Sequence, residues 1–272
     1  MSSPSPVVDA QIHLWTQQDA PPHHWRTPFT IGDAVAAMDA AGIDRAINHP
    51  AVWDPNSNAY SVEAVEAHPD RFRTLGWFPL DGTATEATID EWMDMPGMLG
   101  LRFMLGMPHL WTMFDNGELD WIFEAAGKRE LPVGLMLPHA SIPRIGTVAR
   151  ANPGARILID HLNVSPFQTL PEAMDHRGEL VKLAALPNIA IKATAVPSMS
   201  NEPYPFADTH DHLKVLFEAF GPRRFFWGSD YTRMKCSWSE CKTMFTEEMD
   251  WLQGEDLALV MGRGVLDWLN WP

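Results

Sequence analysis

The chain has 272 residues, 46% of them hydrophobic, and a formal net charge of −15 at pH 7. That length can bury one large core, so a single domain over residues 1–272 is expected. The negative charge opposes binding to nucleic acid or an anionic membrane, and an anionic ligand would need a local cluster of Arg or Lys.

No apolar run reaches the about 18 residues of a membrane helix, and residues 1–6 lack the basic-then-apolar order of a secretory signal. A cytoplasmic protein is the expectation. Cys236 and Cys241, the only two cysteines, are too few for a disulfide framework and read as reduced bystanders.

Short β-like runs alternate with amphipathic helical ones along the chain. The first strand is predicted over residues 7–13, where a period of two puts Asp9, Gln11 and His13 on one face. A long Pro-containing segment, 16–30, then leads to a helix at 31–41 that Gly42 suits as a C-terminal cap. Strand two, 46–49, ends in His49 before a helix at 57–67. Strand three, 73–79, carries Trp77, and Thr85 suits the N-cap of a helix at 86–94. Strand four, 99–104, contains Arg102 and is followed by a loop at 106–116 and a helix at 119–129. Strand five, 132–137, holds Met136, with His139 beyond it and Ser141 as N-cap of a helix at 142–151.

Strand six, 156–161, ends in His161; a loop at 163–176 leads to a helix at 180–186. Strand seven, 189–193, contains Lys192, then a loop at 194–207 and a helix at 208–220 with Asp208 as N-cap. Strand eight, 225–229, delivers Asp230 before a helix at 240–251. The tail, 256–268, reads as a closing amphipathic helix packed through Leu257, Val260, Met261, Val265 and Trp268. Eight strands with intervening helices are the count of an α/β protein of the (β/α)8 TIM barrel type.

In such a barrel the strand ends meet at one mouth, and the long loops fall on that side. Those ends supply Gln11, His13, His49, Trp77, Arg102, Met136, His139, His161, Lys192 and Asp230, a set far more polar than strand interiors. Single members have plain structural readings too. His49 suits a structural hydrogen bond and Trp77 the core. Arg102 or Lys192 could neutralise Asp230 or Asp9, and Arg233 could pair with an acidic neighbour at the surface. No nucleophile elbow, P-loop or dinucleotide fingerprint is present, which leaves water as the nucleophile.

Five fragments in order carry a family resemblance: Val8-Asp9-Ala10-Gln11-Ile12-His13-Leu14-Trp15, His68-Pro69-Asp70-Arg71-Phe72, Gly100-Leu101-Arg102-Phe103, Asp160-His161-Leu162-Asn163 and Trp227-Gly228-Ser229-Asp230-Tyr231. Together they resemble the amidohydrolase superfamily, in its amidohydrolase 2 branch. That branch includes pyrone-dicarboxylate lactonases, sugar-acid lactonases and zinc-dependent aromatic decarboxylases. Gly262-Arg263-Gly264 departs from the Gly-Asn-Ala type sequence common in the last helix.

The resemblance implies metal ligands at a His-x-His or Glu-x-His pair on strand one, a His ending strand five, in some members a His on strand six, and the strand-eight Asp. Here the pair reads Gln11-x-His13 and Met136 stands at the strand-five position. A neutral amide and a thioether are poor zinc ligands. A metal-independent site without cofactor is therefore expected; an ion, if held, would be zinc on His13, His139, His161 and Asp230.

The expected reaction is opening of a lactone or related cyclic ester of an organic acid. Asp230 is the candidate general base on water, and His13 and His161, aided by Gln11, the candidate oxyanion donors. Arg102, Lys192 and Arg233 are candidates to hold a substrate carboxylate, with His49, Trp77 and His139 as further contacts. Two alternatives stay open: a zinc-dependent decarboxylase of an aromatic or unsaturated acid, and a degraded barrel that only binds a small ligand. Trp251, Trp268 and Trp271, if exposed, would suit a homodimer surface.

Overall fold

Eight short strands pair in parallel, each with its neighbour in sequence: β1 (Val8–Ile12), β2 (Arg45–Asn48), β3 (Phe72–Trp77), β4 (Met98–Met104), β5 (Pro132–Met136), β6 (Arg156–Ile159), β7 (Ile189–Ala193) and β8 (Phe225–Trp227). The computed structural model describes residues 5–272; residues 1–4, part of the N-terminal segment and domain range discussed above, lie outside it. The Ser229 amide donates to the Asp9 carboxylate at 2.9 Å and the Asp230 amide to the Gln11 carbonyl at 2.9 Å, which joins β8 back to β1. This is a single (β/α)8 TIM barrel, and every predicted strand is present with its ends within two residues of expectation.

The strands are buried on both sides, which is why they read as runs of Ile, Leu, Val and Phe rather than as alternations. Val8, Ala10, Ile47, Leu75, Leu158, Ala190 and Phe226 fill the barrel, and the outer faces pack on helices α1 (Ile31–Ala41), α2 (Ser57–Ala67), α3 (Glu86–Met93), α4 (Pro108–Asp115), α5 (Asp120–Lys128), α6 (Ile142–Ala151), α7 (Arg177–Leu183), α8 (His210–Phe220) and α9 (Trp238–Thr246). Gly42 caps α1 in the left-handed conformation and Thr85 closes a capping box on α3.

Several local expectations are corrected. The segment 106–116 contains α4, begun by Pro108 in the first turn, where a missing N–H costs nothing. Helix α9 starts earlier than expected because Ser237 and Glu240 form a capping box. Ser141 stands at the N-cap position of α6 as expected, but its hydroxyl donates to Asp115 instead of accepting from the helix; Asp208 accepts from Ser200 and Asn201, and Thr209 takes the N-cap position of α8. The tail is not one helix but α10 (Gly254–Ala258), a π turn and α11 (Gly264–Leu269). It breaks at Gly262, where a Cβ would collide with the Pro6 carbonyl oxygen.

This tail seals the barrel on the side away from the site. Val265, Leu269 and Trp271 join the inner cluster, and Arg45 and Arg73 stack over the Trp271 ring at 5.1 and 5.3 Å. Trp251 packs on Phe217 and Trp268 on Phe226. The three tryptophans are spent on packing, and the surface argument for a homodimer loses its basis. Among the described residues, no helix is long and apolar enough to cross a membrane.

Candidate active site

Strand β1 carries a bulge: its register against β2 shifts between Asp9 and Ile12. Strict alternation would keep Asp9, Gln11 and His13 on one face, and the bulge separates them. Asp9 accepts from Trp238 Nε1 of α9 at 2.7 Å and from the Gln11 and Ser229 amides at 2.9 Å each. Burial pushes its carboxyl up to about 6 against those hydrogen bonds, and it serves as a lock between β1, β8 and α9.

Gln11 turns instead into a buried layer under the barrel mouth. Lys192, fully buried, donates to Gln11 Oε1 at 2.5 Å, pairs with Asp160 at 2.8 Å and lies 3.1 Å from His49 Nε2. Arg102 Nε donates to the same Asp160 at 2.8 Å. Burial lowers Lys192 to about 8, partly offset by Asp160. Burial would raise Asp160, but Lys192 and Arg102 together hold it below the usual carboxylate range. A buried charge needs such partners to stay charged.

Above this layer opens a cavity of about 780 Å³ lined by His13, His24, Arg102, Met104, Met136, His139, His161, Asp230 and Arg233, with Trp53, Met107, Leu137 and Phe167 among its apolar walls. Gln11, His49 and Lys192 lie beneath its surface and do not line it, which corrects their expected contact with substrate. Lys192 holds the Gln11 oxygen and lies against His49 Nε2, while His49 Nδ1 is buried without a partner among the described residues. Trp77 lines a separate small cavity with Phe78 and Leu110, because β3 ends facing α4 rather than the mouth.

Asp230 and His161 follow strand ends in the left-handed conformation, with φ of 51° and 53°, a strained geometry that recurs where side chains are aimed at a site. Arg233, one turn on, donates to Asp230 Oδ2 at 3.1 Å. Asp230 Oδ1 makes no hydrogen bond although the residue is 1% exposed. His13 Nε2 lies 3.4 Å from Oδ1, and His161 Nε2 3.7 Å from Oδ2. Burial would raise the Asp230 carboxyl, yet it is held well below the usual carboxylate range, near neutral pH by the Arg233 guanidinium on Oδ2.

The hydrogen-bond partners fix the tautomers. His13 Nδ1–H donates to the His49 carbonyl at 2.6 Å, which leaves a lone pair on Nε2. Lys192 holds the oxygen of Gln11, so the Gln11 amide nitrogen donates to His161 Nε2 at 2.9 Å, and His161 Nδ1–H donates to Thr194 Oγ1 at 2.7 Å. Burial lowers His13 to about 4 and His161 to about 3, so both are neutral. Neither ring has an N–H to offer the cavity, which corrects the oxyanion-donor role expected for them. Arg102 does: beyond its Nε contact with Asp160 it makes no hydrogen bond among the described residues, and it is 3% exposed on the cavity wall. Arg102, Lys192 and Arg233 outnumber Asp160 and Asp230, leaving a local positive surplus in a chain of −15.

A protein-family model described as amidohydrolase matches residues 8–235. The chain belongs to this family. No curated protein matches it. Among solved structures, an amidohydrolase from Burkholderia multivorans with bound zinc is 16% identical with a TM-score of 0.85, over 98% of this chain and 100% of that one. A probable 2-pyrone-4,6-dicarboxylic acid hydrolase from Acinetobacter baumannii with citric acid bound is 13% identical with a TM-score of 0.73, over 97% and 99%. The 5-carboxyvanillate decarboxylase from Sphingomonas paucimobilis is 16% identical with a TM-score of 0.70, over 98% and 99%. At these identities the likeness is one of fold.

The ligand positions that the amidohydrolase resemblance implies do not fit a metal ion here. The Gln11 amide is tied to Lys192 and His161, Met136 offers only a thioether, and both nitrogens of His161 are engaged. His139 Nε2 meets the Asn163 carbonyl at 2.9 Å, and its ring stacks on His176 at 3.7 Å. The fallback set of His13, His139, His161 and Asp230 is therefore not what converges.

Two site residues escaped the sequence reading. His24, in the segment between β1 and α1, comes edge-on to His13 at 5.2 Å and meets Thr232 Oγ1 through Nδ1 at 2.9 Å. Its only signal was a His23-His24 pair in a long segment on the mouth side. Asp160 could have been found from Arg102 and Lys192, since two cations on buried strands require a carboxylate partner.

Proposed function

We propose that this amidohydrolase opens a lactone or related small cyclic ester by attack of water, with Asp230 as the general base. The observation that carries the reading is Asp230 itself: an ionised carboxylate at the floor of the cavity, one oxygen held by Arg233 and the other without a hydrogen bond. A water on Oδ1 would lose its proton to the carboxylate as its oxygen bonds to the ring carbonyl carbon. The carbon–oxygen bond of the ring then breaks, and Asp230 returns the proton to the leaving ring oxygen, giving a hydroxy acid and the original carboxylate.

Arg102 receives a carboxylate carried by the substrate. Its Nε is held by Asp160, and its terminal amino groups are uncommitted among the described residues. The apolar wall of Trp53, Met104, Met136 and Phe167 suits the ring and excludes water from its faces. The lactone class is also that of the Acinetobacter baumannii neighbour described as a dicarboxylic acid hydrolase.

A second reading, decarboxylation of an aromatic acid, is favoured by the gathering of His13, His24 and Asp230 into one group. A panel of lactones bearing one or two carboxylates, followed by acid release, separates the two. Turnover of a member of the panel supports the first reading; CO2 release from aromatic acids with no lactone turnover overturns it.

A further inference from the structure

The cavity runs from a charged inner end to an apolar rim. Arg102 and Asp230 are 3% and 1% exposed, whereas the loops beyond the strand ends present Phe167 at 75%, Val52 at 44% and Met107 at 41%, and all five line the cavity. Single apolar side chains at a surface are ordinary, but a cluster of large ones around one opening is not. Among the described residues the other exposed large hydrophobic side chains are Trp25, edge-on to Tyr231 at 4.8 Å, and Val215 on α8, and neither lines the cavity. The rim residues come from three separate loops, between β2 and α2, β4 and α4, and β6 and α7, so no single apolar stretch accounts for their meeting. Phe167 is held in place. Its ring meets His23 edge-on at 5.4 Å, and its turn is closed by the Gln168 amide on the Ser165 carbonyl at 3.1 Å. Met107 stands at the N-cap of α4, where a polar side chain would accept from the helix, and it makes no such bond. The helix forgoes a cap, and the mouth gains a flexible apolar chain.

We propose that this rim is a subsite for an unbranched alkyl or acyl chain, and that the substrate is an amphipathic lactone, its carboxylate inward on Arg102 and its chain outward across Val52, Met107 and Phe167. The inference deepens the proposed reaction and rests on it for the ring, while its test reads binding and needs no turnover. The volume of about 780 Å³ lies in the roughly 300–1,000 Å³ range that encloses drug-sized ligands, and a lactone ring with one carboxylate leaves much of it unfilled. Met104, Met107 and Met136 line the space, and the unbranched, polarizable methionine side chain adapts to a flexible occupant. The order of charge sets the orientation. Arg102 is anchored at the inner end by Asp160, and the polar residues near Phe167 are turned onto their own loop: Gln168 Oε1 accepts from the Ser165 amide at 3.2 Å and Ser165 Oγ from the Phe167 amide at 3.4 Å. A hydroxyl-rich substituent would lose water at this rim and gain few partners, whereas an alkyl chain gains by leaving water.

The test is calorimetric titration of the full chain with straight-chain carboxylates from butanoate to decanoate, each below its micellar concentration. The dissociation constant should fall about fourfold for each methylene that the rim covers, with a binding heat capacity that grows more negative along the series. In Phe167→Ser and in Met107→Ser the fall should shrink below about twofold per methylene; two variants guard against one that fails to fold, which circular dichroism detects. Val215→Ser, on α8 away from the cavity, should follow the parent. A parent whose affinity does not change with chain length, or the parent's full gain per methylene retained in both folded variants, overturns the proposal. So does a dimer seen by sedimentation that Phe167→Ser dissociates while chain length has no effect, because the rim then belongs to a second copy. Chain-dependent binding lost in the variants, with no turnover of any alkyl-substituted lactone, upholds the subsite and overturns only the proposed reaction.

Discussion

Replacing Asp230 by Asn separates catalysis from architecture, and the geometry says how. Arg233 donates to Oδ2 at 3.1 Å, so the amide oxygen of the variant will stay on Arg233. The amide nitrogen then occupies the place of Oδ1, 3.4 Å from His13 Nε2, which is an acceptor because His13 Nδ1–H is bound to the His49 carbonyl. The new donor finds a partner and the fold survives, but water at that position meets an N–H instead of a carboxylate. General base catalysis contributes about 10²–10⁴-fold, so turnover of the best lactone should fall by that factor, about 2.7–5.4 kcal/mol of barrier. The unfolding free energy should fall by less than about 3 kcal/mol, the lower limit for stripping one partner from a buried pair, since Arg233 keeps an acceptor. Steady-state kinetics on the lactone, with urea unfolding of the same preparation, measures both. A loss of rate below about tenfold in a folded variant would show that another group takes the proton.

Arg102→Met should raise KM for a carboxylate-bearing lactone by about 10–150-fold, the equivalent of one charge-assisted contact of about 1.5–3 kcal/mol, with kcat little changed; equal constants in variant and parent would remove Arg102 from substrate binding. Lys192→Met leaves Asp160 with Arg102 alone and strips Gln11 Oε1 of its donor. It should cost about 3–5 kcal/mol in urea unfolding, and a cost below about 1 kcal/mol would contradict the locked layer. Burial holds His161 and His176 at about 3 and 4, against 6.5 for the free ring, so below about pH 6.5 the unfolded chain binds protons that the folded one does not. Stability should fall as pH drops from about 6.5 toward 4, opposed by Asp9, whose raised carboxyl at about 6 takes up a proton in the folded state first; an unfolding free energy flat across that window contradicts it. Gly100→Ala should destabilise by about 1–3 kcal/mol, because its Cβ would meet the Pro132 carbonyl of β5, and a melting temperature equal to the parent's would refute that close approach.

The barrel was legible because its signals are local and repeated. Each strand is a short apolar run closed by turn residues, each outer helix an amphipathic stretch, and eight alternations admit one common architecture. The same logic put Asp230, His161, His13 and Arg102 at strand ends, and a barrel brings strand ends together whatever the loops do. What the alternation of residues could not convey was decided by contacts across the barrel. The bulge in β1 sends Asp9 to Trp238 and Gln11 to Lys192, and no period of two contains that shift. Lys192 and Gln11 lie 181 positions apart in the chain, yet their contact sets which end of the Gln11 amide meets His161, and thereby where the His161 proton sits. His24 belongs to a segment without periodicity, so its place beside His13 and Asp230 follows from packing on Thr232 and Trp53 rather than from any pattern around it. Periodic burial is written along the chain, whereas the direction of a hydrogen bond depends on partners that only folding brings within reach.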